Sequence, residues 1–163
     1  MWYKNCCSGK NMSLEEIRKE YEKYGFSEFE KFNREFELTG IELDKWDFLK
    51  SFCRLVNGYL GKFIGYTTPL FMPGNSYAAI VQAGIKDKTI VEEGKQLYKD
   101  LMVLYHECLK AELASEKEQV IFLKEFLKKY PQLKKRILIM LDACQDVFLQ
   151  EATKKNDRKG YLG

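Results

Sequence analysis

Histidine is nearly missing from this chain: His106 is the only one among 163 residues. Every triad and every imidazole-based acid–base pair would have to pass through it. His106, Glu107 and Cys108 offer ligand atoms, but neighbouring helical positions point about 100° apart and do not close on one metal. No Glu-x-x-His step occurs, so the di-iron bundle pattern is missing. Neither a metal nor a cofactor is expected.

Proline is scarce, with 3 residues, which leaves room for long helices. No uninterrupted apolar run reaches the length of about 18 residues that a membrane helix needs. The N-terminus lacks the apolar h-region of a secretory signal, so a cytoplasmic protein without membrane contact is expected. The five cysteines are odd in number and contain no C-x-x-C spacing, which argues against a disulfide framework. Cys53, Cys108 and Cys144 fall on apolar stripes and read as buried thiols. The phosphate-loop pattern fails too: in Gly58-Tyr-Leu-Gly61-Lys62 the spacing is wrong, and no strand precedes it. Nor does charge of either sign dominate. The net is +3, with the cationic excess in residues 116–163, well short of a basic nucleic-acid-binding domain.

What is present is helical periodicity punctuated by caps. Ser13-Leu-Glu-Glu16, Ser27-Glu-Phe-Glu30, Thr89-Ile-Val-Glu92 and Ser115-Glu-Lys-Glu118 all have capping-box form. They open predicted helices at Ser13–Tyr24, Ser27–Leu38, Thr89–Leu113 and Ser115–Tyr130. Gly25 and Gly40 supply left-handed ends for the first two. Phe29, Phe32 and Phe36 share one face of the second. Another helix runs from Glu42 or Asp44 to about Ile64, with Trp46, Leu49, Phe52, Cys53, Val56 and Leu60 inward. In it Gly58 and Gly61 mark a kink, an early end or a close approach. A short helix from Asn75 or Ser76 to Ile85 turns Tyr77, Ile80 and Val81 inward. Pro131 suits the first turn of a seventh helix, which carries Leu133, Ile137, Met140, Leu141, Cys144 and Val147 to about Ala152.

These elements predict an all-α, single-domain antiparallel bundle of about six to seven helices, with one longer Pro-containing loop. Residues 1–12 read as a flexible extension, 13–152 as the bundle and 153–163 as a flexible tail. No repeat at 34 or 40 residues and no alternating strand pattern is found.

Three surface features remain. Lys128, Lys129, Lys134, Lys135 and Arg136 form a basic corner between the last two predicted helices. Lys134, Lys135 and Arg136 would lie where the dipole of the seventh helix disfavours cations. Such a corner suits phosphates or an acidic partner. The loop Tyr66 to Pro73 holds Leu70, Phe71 and Met72, either a binding patch or a cover for the bundle end. Tyr59, Tyr77, Tyr98, Tyr105 and His106, together with Tyr66, would line a small-ligand pocket if the fold converges them. The leading expectation is a non-enzymatic interaction module that binds a protein partner or a second copy of itself. Nucleic-acid binding through residues 128–136 and a pocket near His106 are the alternatives.

Overall fold

The structure, a computed structural model, describes residues 12–38, 48–68 and 76–159; of residues 76–78, 151–152 and 154–159 only the backbone is described. It is all-α. The helices are α1 (Leu14–Lys23), α2 (Phe29–Phe36), α3 (Phe48–Thr67), α4 (Ser76–Gly84), α5 (Lys88–Glu112) and α6 (Glu116–Lys159), and no strand occurs among the described residues.

Of the four expected capping boxes one forms in full and one by its carboxylate half alone. Ser13 accepts from the Glu16 amide at 3.3 Å, and the Ser13 amide donates to the Glu16 carboxylate at 2.9 Å. At the start of α6 the Ser115 amide and hydroxyl donate to the Glu118 carboxylate at 3.0 and 2.7 Å. The other two do not form. α2 begins one residue late because Glu28 sits in the left-handed region (φ 60°) and makes no side-chain cap. The Ser27 carbonyl instead accepts from the Tyr21 hydroxyl at 3.0 Å. α5 starts earlier than its sequence cue: Asp87 takes the cap, accepting from the Thr89 amide and hydroxyl at 2.8 and 2.7 Å. A carboxylate satisfies the free amides of a first turn as well as a threonine does.

The largest correction concerns Pro131. The sixth and seventh predicted helices are one element, the 44-residue α6, with Pro131 inside it and exposed. The reason lies in its buried positions. Gln119, Leu123, Phe126, Tyr130, Leu133, Ile137, Met140, Cys144 and Val147 are all buried. They follow one another at alternating steps of three and four, a heptad pattern that passes through the proline without a skip. Interior proline costs about 3 kcal/mol, and each large apolar side chain removed from water returns about 1.5–3 kcal/mol. Helix therefore wins. The same element also carries on through the stretch expected as a loose tail, past Ala152 to Lys159.

α5 and α3 share the heptad spacing. On α5 the buried set is Gly94, Leu97, Leu101, Leu104, Cys108 and Ala111. On α3 the buried residues include Leu49, Cys53, Val56, Leu60 and Thr67 at that spacing, with half-buried Phe63 between the last two, and Phe48, Ser51 and Phe52 beside them. Gly58 and Gly61 neither end nor crowd α3: a side chain at either position would meet open space. α3 continues past Gly65, where a loop was expected, and there the Thr67 and Thr68 hydroxyls donate back to the Ile64 carbonyl at 3.0 and 2.8 Å rather than competing for an extended backbone. Two residues expected to face inward stand exposed: Ile80 and Leu141. Each lies outside the narrow stripe that its helix buries.

The chain divides into two compact units. The first comprises residues 1–57 and 108–125. Its core is aromatic. The Tyr21 ring lies 5.0, 5.3 and 6.0 Å from those of Phe26, Phe29 and Phe52. Tyr24 stacks on Phe48 at 6.1 Å. Arg18 joins α1 to α2 by an ion pair with Glu30 and lies over the Phe29 ring. The Cys108 thiol donates to the Cys53 carbonyl at 3.1 Å, which ties the end of α5 to α3. Cys53, Cys108 and Cys144 are all buried and in no disulfide, as expected.

The second unit comprises residues 58–107 and 126–163. Within it Phe63 stacks on Tyr130 at 6.4 Å, and Tyr130 lies 5.8 Å from Phe126. The end of α4 approaches α6 closely. A side chain on Gly84 would stand 2.2 Å from a Val147 methyl, so only glycine permits that approach. Burial pushes the Cys144 thiol above its ordinary pKa, leaving it neutral and unreactive.

Candidate functional site

Among the described residues a concavity of about 400 Å³ lies in the second unit between α5 and α6. Asp100, Val103, Leu104 and Glu107 line it from α5, and Lys129, Gln132, Leu133 and Arg136 from α6. Both sets repeat the spacing i, i+3, i+4, i+7, so each is one helix face. Leu104 and Leu133 are buried and make the floor. The walls are charged, acidic on α5 and basic on α6.

Seven-residue spacing explains the walls. Glu93, Asp100 and Glu107 fall on one row of α5, each preceding a buried heptad position. Lys129 and Arg136 hold the equivalent row of α6. In antiparallel helices such flanking rows meet. Arg136 bridges two α5 carboxylates, its Nε donating to Glu93 at 2.6 Å and its guanidinium NH1 nitrogen to Asp100 at 2.7 Å. Partial burial works against its charge, but these bonds outweigh that and raise its pKa further.

This changes the meaning of the basic corner. With α6 unbroken, Lys134, Lys135 and Arg136 occupy no first turn, and the helix dipole does not oppose them there. Arg136 serves an internal ion-pair network. Lys134 is half-buried, and Lys128, Lys129 and Lys135 are exposed. The five cations form a mid-helix set that spreads around α6.

The tyrosine–histidine group does not assemble into any of the three clefts resolved on the described surface. Tyr59, Tyr98 and Tyr105 are half-buried. His106 is exposed, its Nδ1 within 2.7 Å of the Met102 carbonyl one turn back and its ring edge-on to Tyr105. The Tyr77 side chain lies outside the described residues, as do Leu70, Phe71 and Met72. Tyr66 belongs to α3 and is exposed.

A feature that sequence reasoning missed lies on the C-terminal half of α6. Leu138, Ile139, Leu141 and Leu149 are 49%, 48%, 36% and 57% exposed, a run of apolar surface on one helix. The heptad register was the available signal, since Leu138, Ile139 and Leu149 lie off the buried stripe. Beside Ile139, a second cleft of about 360 Å³ holds Asp142 and Asp146 of α6 together with Lys86 and Ile90. A third, in the first unit, is lined by Tyr24, Lys50, Glu112 and Gln119 among others.

Among the described residues no group of three or more His, Cys, Asp or Glu is placed to hold a metal. No helix there is long and apolar enough to cross a membrane. Fold and groove thus define an all-α protein with a charged interhelical cleft and an exposed apolar helix face. No family model, no curated protein and no solved structure matches the chain.

Proposed function

We propose that the chain is a non-enzymatic helical interaction module whose binding surface is the C-terminal half of α6. One observation carries this reading: four large aliphatic side chains within residues 138–149 stand a third to a half or more in solvent. Large aliphatic side chains left exposed near one another on a folded protein mark candidate interaction sites. These side chains are on a helix, with Leu138 and Leu141 one i, i+3 step apart, and helices dock into grooves or against other helices through apolar side chains. The reading puts the protein in the cytoplasm, where the thiols of Cys53, Cys108 and Cys144, which are in no disulfide, stay reduced.

A photoreactive amino acid at position 138, introduced into the full chain in its native cells, tests the proposal. Discrete protein adducts, competed by excess unlabelled chain and missing when the probe sits at exposed Lys110, are the expected result. No adduct at position 138, or equal labelling at both positions, would reject it.

A further inference from the structure

The outer face of α6 is ordered along its length. At 100° per residue, Lys128, Pro131, Lys135, Leu138, Ile139, Asp142, Asp146 and Leu149 all fall within an arc of about 100°. All eight are exposed. From Lys128 to Asp146 the order along this arc is basic, then apolar, then acidic, with Leu149 beyond. Lys128 and Lys135 stand on the N-terminal side of Leu138–Ile139, and Asp142 and Asp146 on the C-terminal side. None of these four charges joins an ion pair among the described residues. Lys86, the cation lining the cleft of Asp142 and Asp146, makes none either.

A face of this design complements itself when reversed. A second copy of α6 laid antiparallel with its centre between residues 138 and 139 places Leu138 against Ile139. It also sets Lys135 against Asp142 and Lys128 within one turn of Asp146, and every contact occurs twice. That is the geometry of an isologous two-fold interface. In the parallel arrangement lysines would meet lysines. We infer that the partner of this face is a second copy of the chain, docked antiparallel through α6 about Leu138 and Ile139. The inference deepens the interaction-module reading and rests on it.

Lys135 and Asp142 are seven residues apart on one helix and therefore too distant to pair within a chain. Reversing either charge therefore breaks no pair between these two within one chain, and any effect of Asp142→Lys on Lys86 in the adjoining cleft is not relieved by mixing the two variants. Sedimentation of the full chain over a rising concentration series should show a monomer–dimer equilibrium. Lys135→Asp and Asp142→Lys should each weaken the dimer at least roughly tenfold, because like charges then face each other twice. The two variants mixed should form a heterodimer near wild-type affinity, and the double variant should dimerise with itself. Leu138→Glu should leave the circular dichroism unchanged and abolish the dimer. A strict monomer at hundreds of micromolar would overturn the inference. The interaction-module reading would survive that result if the position-138 probe still labelled a different protein, and would fall with it if nothing were labelled. A dimer indifferent to Leu138→Glu and to both charge reversals would also overturn the inference.

Discussion

Tyr21 shows how much one residue of this fold holds in place. Its ring is fully buried among Phe26, Phe29 and Phe52, and its hydroxyl donates to the Ser27 carbonyl. Burial raises its pKa well above 10, and the nearby Glu28 carboxylate adds to the rise. Folded Tyr21 therefore keeps its proton where an unfolded tyrosine, ionising near pH 10, gives it up. The native state then binds more protons than the unfolded state, so stability is fully present below about pH 10 and falls as pH rises beyond it. Tyr21→Phe should cost about 1 kcal/mol at neutral pH through the lost hydrogen bond. It should also flatten the alkaline decline relative to wild type. Urea melts of both proteins from neutral to alkaline pH measure the two effects, and parallel alkaline slopes would contradict the assignment. The aromatic face of α2 that feeds this cluster was plain in the sequence as Phe29, Phe32 and Phe36. The hydroxyl bond was not, because it depends on a backbone carbonyl freed when the Ser27 cap failed to form.

At the scale of elements, local rules and helix-long patterns competed, and the longer pattern prevailed. Ser13–Glu16 and Ser115–Glu118 were legible because both partners of each box are close in sequence and nothing else claims them. The box at Thr89 lost to Asp87, two residues upstream. Pro131 misled more seriously. Read locally it starts a helix, yet the three-four spacing from Gln119 to Val147 runs through it. The α5–α6 groove was hidden for a related reason. Glu93, Asp100 and Glu107 meet Lys129 and Arg136 only once two helices are set antiparallel, whereas proximity in sequence grouped Arg136 with the lysines. The continuity of α6 has a direct consequence. Pro131 is exposed and sits where an amide would donate within the helix, so Pro131→Ala should restore a hydrogen bond and relieve the ring clash. The helix-interior penalty is about 3 kcal/mol, and the unfolded chain regains up to about 1 kcal/mol of entropy without the proline. A net gain of about 2 kcal/mol in urea unfolding is expected. No gain, or a loss, would mean that a helix ends at Tyr130 after all.

Across the whole molecule, the division into two units meets a constraint from the helices themselves. The boundaries at residues 57/58, 107/108 and 125/126 each fall inside a helix: α3, α5 and α6 respectively. Unfolding one unit alone would cut all three. Each cut creates a new helix terminus with up to four backbone groups lacking intrahelical partners, and it falls beside buried positions: Val56 and Leu60 on α3, Leu104 and Cys108 on α5, Leu123 and Phe126 on α6. Gly58 is the one weak point, since glycine costs about 1 kcal/mol in a helix interior. A single weak joint does not uncouple units that share two others. The chain should therefore unfold in one cooperative transition, with calorimetric and van't Hoff enthalpies equal and with tyrosine absorbance and far-ultraviolet circular dichroism melting together. Tyr21 reports on the first unit and Tyr98, Tyr105 and Tyr130 on the second, so site-resolved hydrogen exchange gives an independent readout. Equal opening free energies for the α1 amides and for the α5 amides around Leu101 would bear the coupling out. A separate, earlier transition in either unit would show that the shared helices break at the boundaries.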